Sequence, residues 1–142
     1  MSAPVLRDAL PTDAGALVAL LEELGYPAPR EVIAARREAL GAVGETILIA
    51  EEGGQAVGCL TLHVTPVLHR PTGVGRITAL VVSARARGHG VGKALVAEAE
   101  RRVAANGCAL IEVTSNRKRT DAHAFYERLG YEATSLRFAK GL

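Results

Sequence analysis

The spacing of apolar positions changes several times along the chain, and each change predicts an element. Residues 4–9 alternate weakly and read as a first strand. Leu17, Val18, Leu21 and Leu24 then fall on one face of a helix that Thr12 or Asp13 caps and Gly25 stops. Pro27 and Pro29 reset the chain. Pro29 suits a first helical turn, and Ile33, Arg37, Leu40 and Gly41 complete a second short helix.

The period then drops to that of strands. Thr46–Glu51 and Gln55–Val64 flank Gly53-Gly54, a two-residue hairpin signal. Pro66 and Pro71 bracket a loop, and Val74–Val82 reads as a strand whose end is apolar enough to be buried on both faces. Gly90 to about Ala105 is the longest helix, with Val91, Leu95, Ala99 and Val103 on one face and Asn106-Gly107 as its stop. Ala109–Thr114 is a strand, and a helix from about Arg119 to Leu129 is closed by Gly130. Tyr131–Ser135 and a short terminal segment can pair as a last hairpin. The order β-α-α-β-β-β-α-β-α-β predicts an α/β chain with a mixed sheet and helices on its faces.

Composition narrows the class. At 142 residues, one domain with a real core is expected. A hydrophobic content of 49% with 23% charged residues argues against disorder. No apolar run is long enough for a membrane span, and the N-terminus lacks the pattern of a secretory signal. Cys59 and Cys108 sit in apolar strand-like runs and read as buried free thiols of a reducing cytoplasm. No His/Cys spacing supports a metal site.

Charge adds an asymmetry that the net +2 hides. Residues 53–97 contain no Asp or Glu but hold Arg70, Arg76, Arg85, Arg87 and Lys93, with His63, His69 and His89. That window is formally +5 and the rest of the chain −3, which points to a local anion site. Aromatic residues are only 4% and no RNA-binding aromatic motif is present, so a nucleic-acid partner is not expected.

The sharpest chemical signal lies inside this window, in LVVSARARGHGVGKAL, residues 80–95. A buried strand runs into a turn with Gly88, Gly90 and Gly92, and a helix follows at once. Glycines allow close backbone approach, and the first helical turn offers unpaired N–H groups and the positive dipole end, which suits phosphate. A Walker A loop is excluded, because Arg87 stands where its first Gly belongs and Ala94 follows Lys93. A dinucleotide fingerprint is excluded by Lys93 in place of its third Gly.

The pattern that fits is Arg-x-x-Gly-x-Gly, at Arg87, Gly90 and Gly92. It resembles the pyrophosphate-binding loop of the GNAT superfamily of acyl-CoA N-acyltransferases. A second segment, ALIEVTSNRKRTDAHAFYERLGYEA from Ala109, is similar to the other signature of that family. The two together cover roughly residues 74–133.

The resemblance implies a mixed, mostly antiparallel sheet of six to seven strands, about four helices, and splayed central parallel strands holding acetyl-CoA. It implies a single N-acetyltransferase domain over residues 1–142. Leu80, Val81 and Val82 would pair with the pantetheine amides, and Arg87, Gly88, His89, Gly90, Val91, Gly92 and Lys93 would wrap the pyrophosphate. Tyr126 occupies the place of the family's general acid. Many members carry a cofactor-contacting Asn seven residues before that tyrosine; here Arg119 stands there, with Asn116 three residues earlier. Many also use a Glu on the strand entering the glycine loop, where this chain has Thr78. Glu112 on the neighbouring strand is the leading substitute as base, with His63, His69 or a water chain as alternatives.

The implied activity is transfer of an acetyl group from acetyl-CoA to a primary amine by direct attack in a ternary complex. The acceptor would be a small molecule or a peptide, bound under the N-terminal helices. The competing reading, prompted by the missing carboxylate, is a non-catalytic acyl-CoA-binding module of the same fold. Homodimerisation through edge strands or the C-terminal segment is a further implication of the resemblance.

Overall fold

The changes of period along the chain become five strands and four α-helices in the structure, a computed structural model that describes residues 3–142. In chain order these are β1 (Val5–Asp8), α1 (Ala14–Leu24), α2 (Arg30–Ala42), β2 (Thr46–Glu52), β3 (Gln55–Thr65), β4 (Val74–Val82), α3 (Val91–Ala105), β5 (Leu110–Val113) and α4 (Thr120–Arg128). Residues as far as Glu112 form one compact unit, and Val113–Leu142 form a second.

In the first unit the sheet order is β1-β2-β3-β4-β5. β1 to β4 pair antiparallel in succession, and β5 joins the sheet after the α3 crossover, which makes it mixed. The β2–β3 hairpin turns on Gly53 and Gly54, at φ +57° and +77°. Positive φ at both central residues matches the twist of the flanking strands, and glycine adopts it without a Cβ clash.

Each face of the sheet is covered for a reason visible in the sequence. On one face Leu17 and Leu20 of α1 and Ile33 of α2 pack with Ile49, Cys59 and Val81. α1 is aimed by Asp13, whose carboxylate accepts from both Arg7 guanidinium NH groups at 2.7 and 2.8 Å and from the Leu10 N–H at 2.6 Å. Asp13 is thus the expected helix-start residue, but its side chain ties back to β1 instead of capping α1. On the other face lie Val91, Leu95, Val96, Ala99 and Val103 of α3, all buried. Full burial of a side chain such as Leu95 is worth about 1.5–3 kcal/mol, and Leu95→Ala would cost about 2–5.

Close packing of α3 depends on two glycines of the sheet. A Cβ on Gly58 would lie 3.0 Å from Val91 Cγ1, and one on Gly75 would overlap the Val103 side chain. A Cβ at Gly75 would therefore push α3 off the sheet. Arg102 fastens the helix further, through Glu98 at 2.8 Å and Asp8 of β1 at 2.7 Å.

In the second unit α4 carries Phe125 and Tyr126, whose rings meet edge to face at 5.1 Å; Tyr126 and Tyr131 do the same at 5.6 Å. The expected last hairpin is absent: residues 131–142 contain no strand. Alternation alone does not make a strand, and the apolar members Leu136 and Phe138 are 82% and 89% exposed, with no surface to bury them. The sheet of the described residues accordingly has five strands, not six or seven, and β5 is at its edge instead of central. Cys59 is buried as expected, its thiol pushed up to about 12 by burial. Cys108 is only half-buried and lies in the turn before β5. No helix among the described residues is long and apolar enough to cross a membrane.

Candidate active site

The glycine turn forms where β4 runs out. Leu80, Val81 and Val82 lie opposite Leu60, Cys59 and Gly58 of β3. The Ser83 N–H donates to Val57 O at 2.7 Å, which carries the pairing one residue beyond the strand. A single 3-10 turn, Ala84–Ala86, follows, and Gly88 and Gly90 take φ of +82° and +81° before α3 begins at Val91. A Cβ at either glycine would meet nothing within 4 Å. Conformation, not crowding by the protein, therefore demands glycine here, and the space in front of the turn is open. The first-turn N–H groups of α3 have no intrahelical partners, and Arg85, Arg87 and Lys93 are exposed around them. These residues fit a pyrophosphate.

Not every member of the loop is free for a ligand. The His89 N–H donates to Ala86 O at 3.2 Å, and its ring Nδ1 lies 3.1 Å from Glu52 Oε1. Arg85 donates to Ala56 O at 3.1 Å, and the Ala84 N–H donates to Glu23 Oε1 at 2.9 Å. The acid-free window thus acquires two carboxylates from outside itself. Nothing in the local sequence signals Glu23 or Glu52, because both contacts come from tertiary pairing. A cleft of about 340 Å³ adjoins this point, lined by Leu20, Glu23, Gln55, Ala56, Ser83 and Arg85 among others.

Further down β4 the ladder is irregular. Thr61 lies opposite Ala79 and Leu62 opposite Ile77, so Thr78 is an extra residue on β4. Such a bulge turns its side chain out of the regular alternation. The Thr78 Oγ1 meets Thr61 Oγ1 at 2.5 Å. Thr61, His63 and, across from His63, Arg76 share the sheet face that carries Cys59 and Val81. His63 Nδ1 is buried without a hydrogen bond, and Glu45 Oε1 is 3.6 Å away. His69 is exposed in the β3–β4 loop. Glu112 is exposed on β5 and makes no hydrogen bond or ion pair among the described residues.

In the second unit, Asn116 is committed to a turn. Its Oδ1 accepts the Lys118 N–H at 2.9 Å, and its carbonyl accepts from the Arg119 N–H and the His123 ring, each at 2.9 Å. Arg119 precedes α4, half exposed, with Asp121 at 3.6 Å. The Tyr126 side chain is half-buried, and its hydroxyl makes no hydrogen bond among the described residues. Burial raises its phenol above the usual 10, offset in part by Arg119, so it holds its proton at neutral pH. Among the described residues no three His, Cys, Asp or Glu side chains cluster as a metal site.

Comparison with known proteins agrees with this fold. The family model described as Acetyltransferase (GNAT) family matches residues 15–131, which span both units. The chain is 37% identical to an aminoalkylphosphonate N-acetyltransferase of Salmonella typhimurium, over 96% of this chain and 90% of that one. Among solved structures, a transcriptional regulator from Bacillus halodurans C-125 superposes with a TM-score of 0.88 at 30% identity, covering 98% and 99% of the two chains. An acetyltransferase from Agrobacterium tumefaciens does so at 0.87 and 29%, covering 97% and 99%. The chain belongs to the GNAT family and is an acyl-CoA-dependent acetyltransferase.

Proposed function

We propose that this enzyme moves an acetyl group from acetyl-CoA to the primary amine of a small anionic molecule of the aminoalkylphosphonate class. The observation that carries the reading is the 37% identity, over nearly the whole of both chains, to an aminoalkylphosphonate N-acetyltransferase. The acid-free stretch supports it. An aminoalkylphosphonate presents an ammonium to be acetylated and an anion to be held, and Arg76 on the open part of the sheet face is a cation suited to that anion.

In this reading residues 1–142 work as one domain. Acetyl-CoA supplies the thioester. The backbone of Leu80–Val82 aligns the pantetheine, and one N–H there polarises the thioester carbonyl. The turn from Arg87 to Lys93 holds the pyrophosphate through the α3 N-terminus and the flanking cations. His89 contributes through the shape of the turn, since its ring is held by Glu52. Arg119 is the candidate in the second unit for a phosphate, since the Asn116 side chain is occupied within its own turn. The amine attacks the carbonyl directly, and Tyr126 protonates the departing thiolate. Two free cysteines, one buried, suit a reducing cytoplasm. The exposed Leu136, Phe138 and Leu142 would be covered in a homodimer.

The test is release of CoA from acetyl-CoA across a panel of aminoalkylphosphonates, amino acids, aminoglycosides and peptide N-termini. The expected result is the highest kcat/KM for an aminoalkylphosphonate. A preference for uncharged or polycationic amines would overturn the substrate class. Tight acetyl-CoA binding with no transfer to any amine would overturn the catalytic reading in favour of a binding module.

A further inference from the structure

We infer that His63 takes the proton from the acceptor ammonium and that Glu45 positions its ring. This rests on the proposed function and names the group that does the work of the carboxylate absent from β4. A bulge on β4 aims residue 78 onto the open sheet face, but residue 78 is a threonine whose hydroxyl is already paired with Thr61. A hydroxyl is far too weak a base to deprotonate an ammonium at neutral pH. A basic group on that face has to come from a neighbouring strand.

His63 is that neighbour. It stands two residues beyond Thr61 on β3, and so on the same face. It also lies opposite Arg76 in register. On the other side, Thr46 pairs with Leu62, so Glu45 falls next to His63 at the mouth of β2. Glu45, His63 and Arg76 thus form a row across three strands. The row sits one step beyond Thr61 and Thr78, on a part of the face where Arg76 and Thr78 are exposed and His63 is half-buried.

The ring is oriented for the task. Nδ1 is buried, has no hydrogen bond, and faces Glu45 Oε1 at 3.6 Å. The side chain is 36% exposed, and Nε2 is neither buried nor bonded. The accessible nitrogen is therefore the one opposite the carboxylate. When Nε2 accepts a proton, Nδ1–H becomes a charged donor, and a small ring movement closes 3.6 Å to a hydrogen bond. The Arg76 guanidinium on the other flank holds the anionic end of the substrate and keeps the row from being net acidic.

The step balances. His63 Nε2 removes one proton from R–NH3+, and the freed lone pair attacks the thioester carbonyl. The C–N bond forms and the C–S bond breaks; the thiolate takes the Tyr126 proton. The second nitrogen proton leaves through solvent and restores the phenol. His63 then returns its proton to water, so the net products are the amide, CoA–SH and one proton.

The experiment compares kcat/KM against pH for the wild type, His63→Gln, Glu45→Gln and Glu112→Gln, with acetyl-CoA and 2-aminoethylphosphonate. His63→Gln is expected to lose about 10²–10³-fold at neutral pH and to lose the acidic limb of the profile. Part of the rate should return at high pH, where the amine deprotonates itself, and on adding free imidazole. Unchanged acetyl-CoA affinity by calorimetry shows that the variant is folded. Glu45→Gln should keep the limb, with a loss of about tenfold in kcat rather than KM. His63→Gln that keeps its rate and its limb, or a loss confined to Glu112→Gln, overturns the inference while the proposed function stands. A wild type that acetylates none of the panel amines overturns both.

Discussion

The hydroxyls of Thr61 and Thr78 face each other at 2.5 Å across neighbouring strands, at the one position of β4 that its bulge turns out of register. By the family resemblance, Thr78 stands where a strand carboxylate would be expected. It leaves that place polar but without a base. Thr78→Glu should supply the missing group. In the His63→Gln background it is expected to recover at least roughly tenfold of the lost kcat/KM near neutral pH. In the wild-type background it should change little, since His63 already serves. Steady-state kinetics of the double variant decide this; a double variant no better than His63→Gln would place the reacting amine away from the bulge.

How far the sequence carries can be judged at this same spot. The absence of acid on Val74–Val82 is plain from the residues, and the bounds of that strand are as read. The apolar face Val91, Leu95, Ala99 and Val103 also packs as its period requires. Three features were out of reach because register and tertiary pairing decide them. These are the extra residue at Thr78, the contact of Glu45 with His63 and the carboxylate of Glu23 on the Ala84 N–H. The C-terminal strands failed for the converse reason. The alternation through Leu136 and Phe138 is real, but these side chains find no face to cover. Leu20, deepest of the α1 residues at 2% exposed, shares the stripe of Leu17 and Leu24.

The glycine turn separates conformation from binding. Gly53 and Gly90 both have positive φ, and a Cβ at either meets nothing. Alanine at each should therefore cost about 1–2 kcal/mol of stability for the same torsional reason. Only Gly90→Ala should also raise the KM for acetyl-CoA, by about tenfold, because its Cβ enters the space proposed for the pyrophosphate. Arg87→Ala should likewise raise the KM for acetyl-CoA more than that for the amine. Paired melting curves and initial rates check all three; an equal effect of Gly53→Ala on acetyl-CoA would mean the turn is misassigned.

Tyr126 holds its proton more tightly than a free phenol, chiefly because burial disfavours phenolate. A general acid works while protonated, so its activity should be constant below its own titration and fall only above about pH 10. Tyr126→Phe keeps the ring contacts with Phe125 and Tyr131 and removes only the hydroxyl. It is expected to lower kcat by about 10²-fold with little change in acetyl-CoA affinity. A thioester with a more acidic leaving thiol should narrow that loss. No loss with either thioester would assign Tyr126 to packing alone, and an equal loss with both would give the hydroxyl a role other than protonating the thiolate.

Acid should loosen the first unit at two identifiable points. The Arg7 guanidinium, hydrogen-bonded to the buried Asp13, holds that carboxyl below its ordinary 3.8. Arg101 and Arg102 hold Glu98 at about 2 against an ordinary 4.5. Both are carboxylates whose folded value is depressed. The stability they give is complete above the unfolded values and disappears as the pH falls through the folded ones. Denaturant midpoints should therefore be flat from pH 7 to about 5 and fall between about pH 5 and 2. Asp13→Asn removes the charge that answers Arg7 and should cost about 1–3 kcal/mol at pH 7. It should also flatten part of the acid limb, because one of the two titrating partners is gone. A variant as acid-sensitive as the wild type would move the origin of that limb away from the β1–α1 junction.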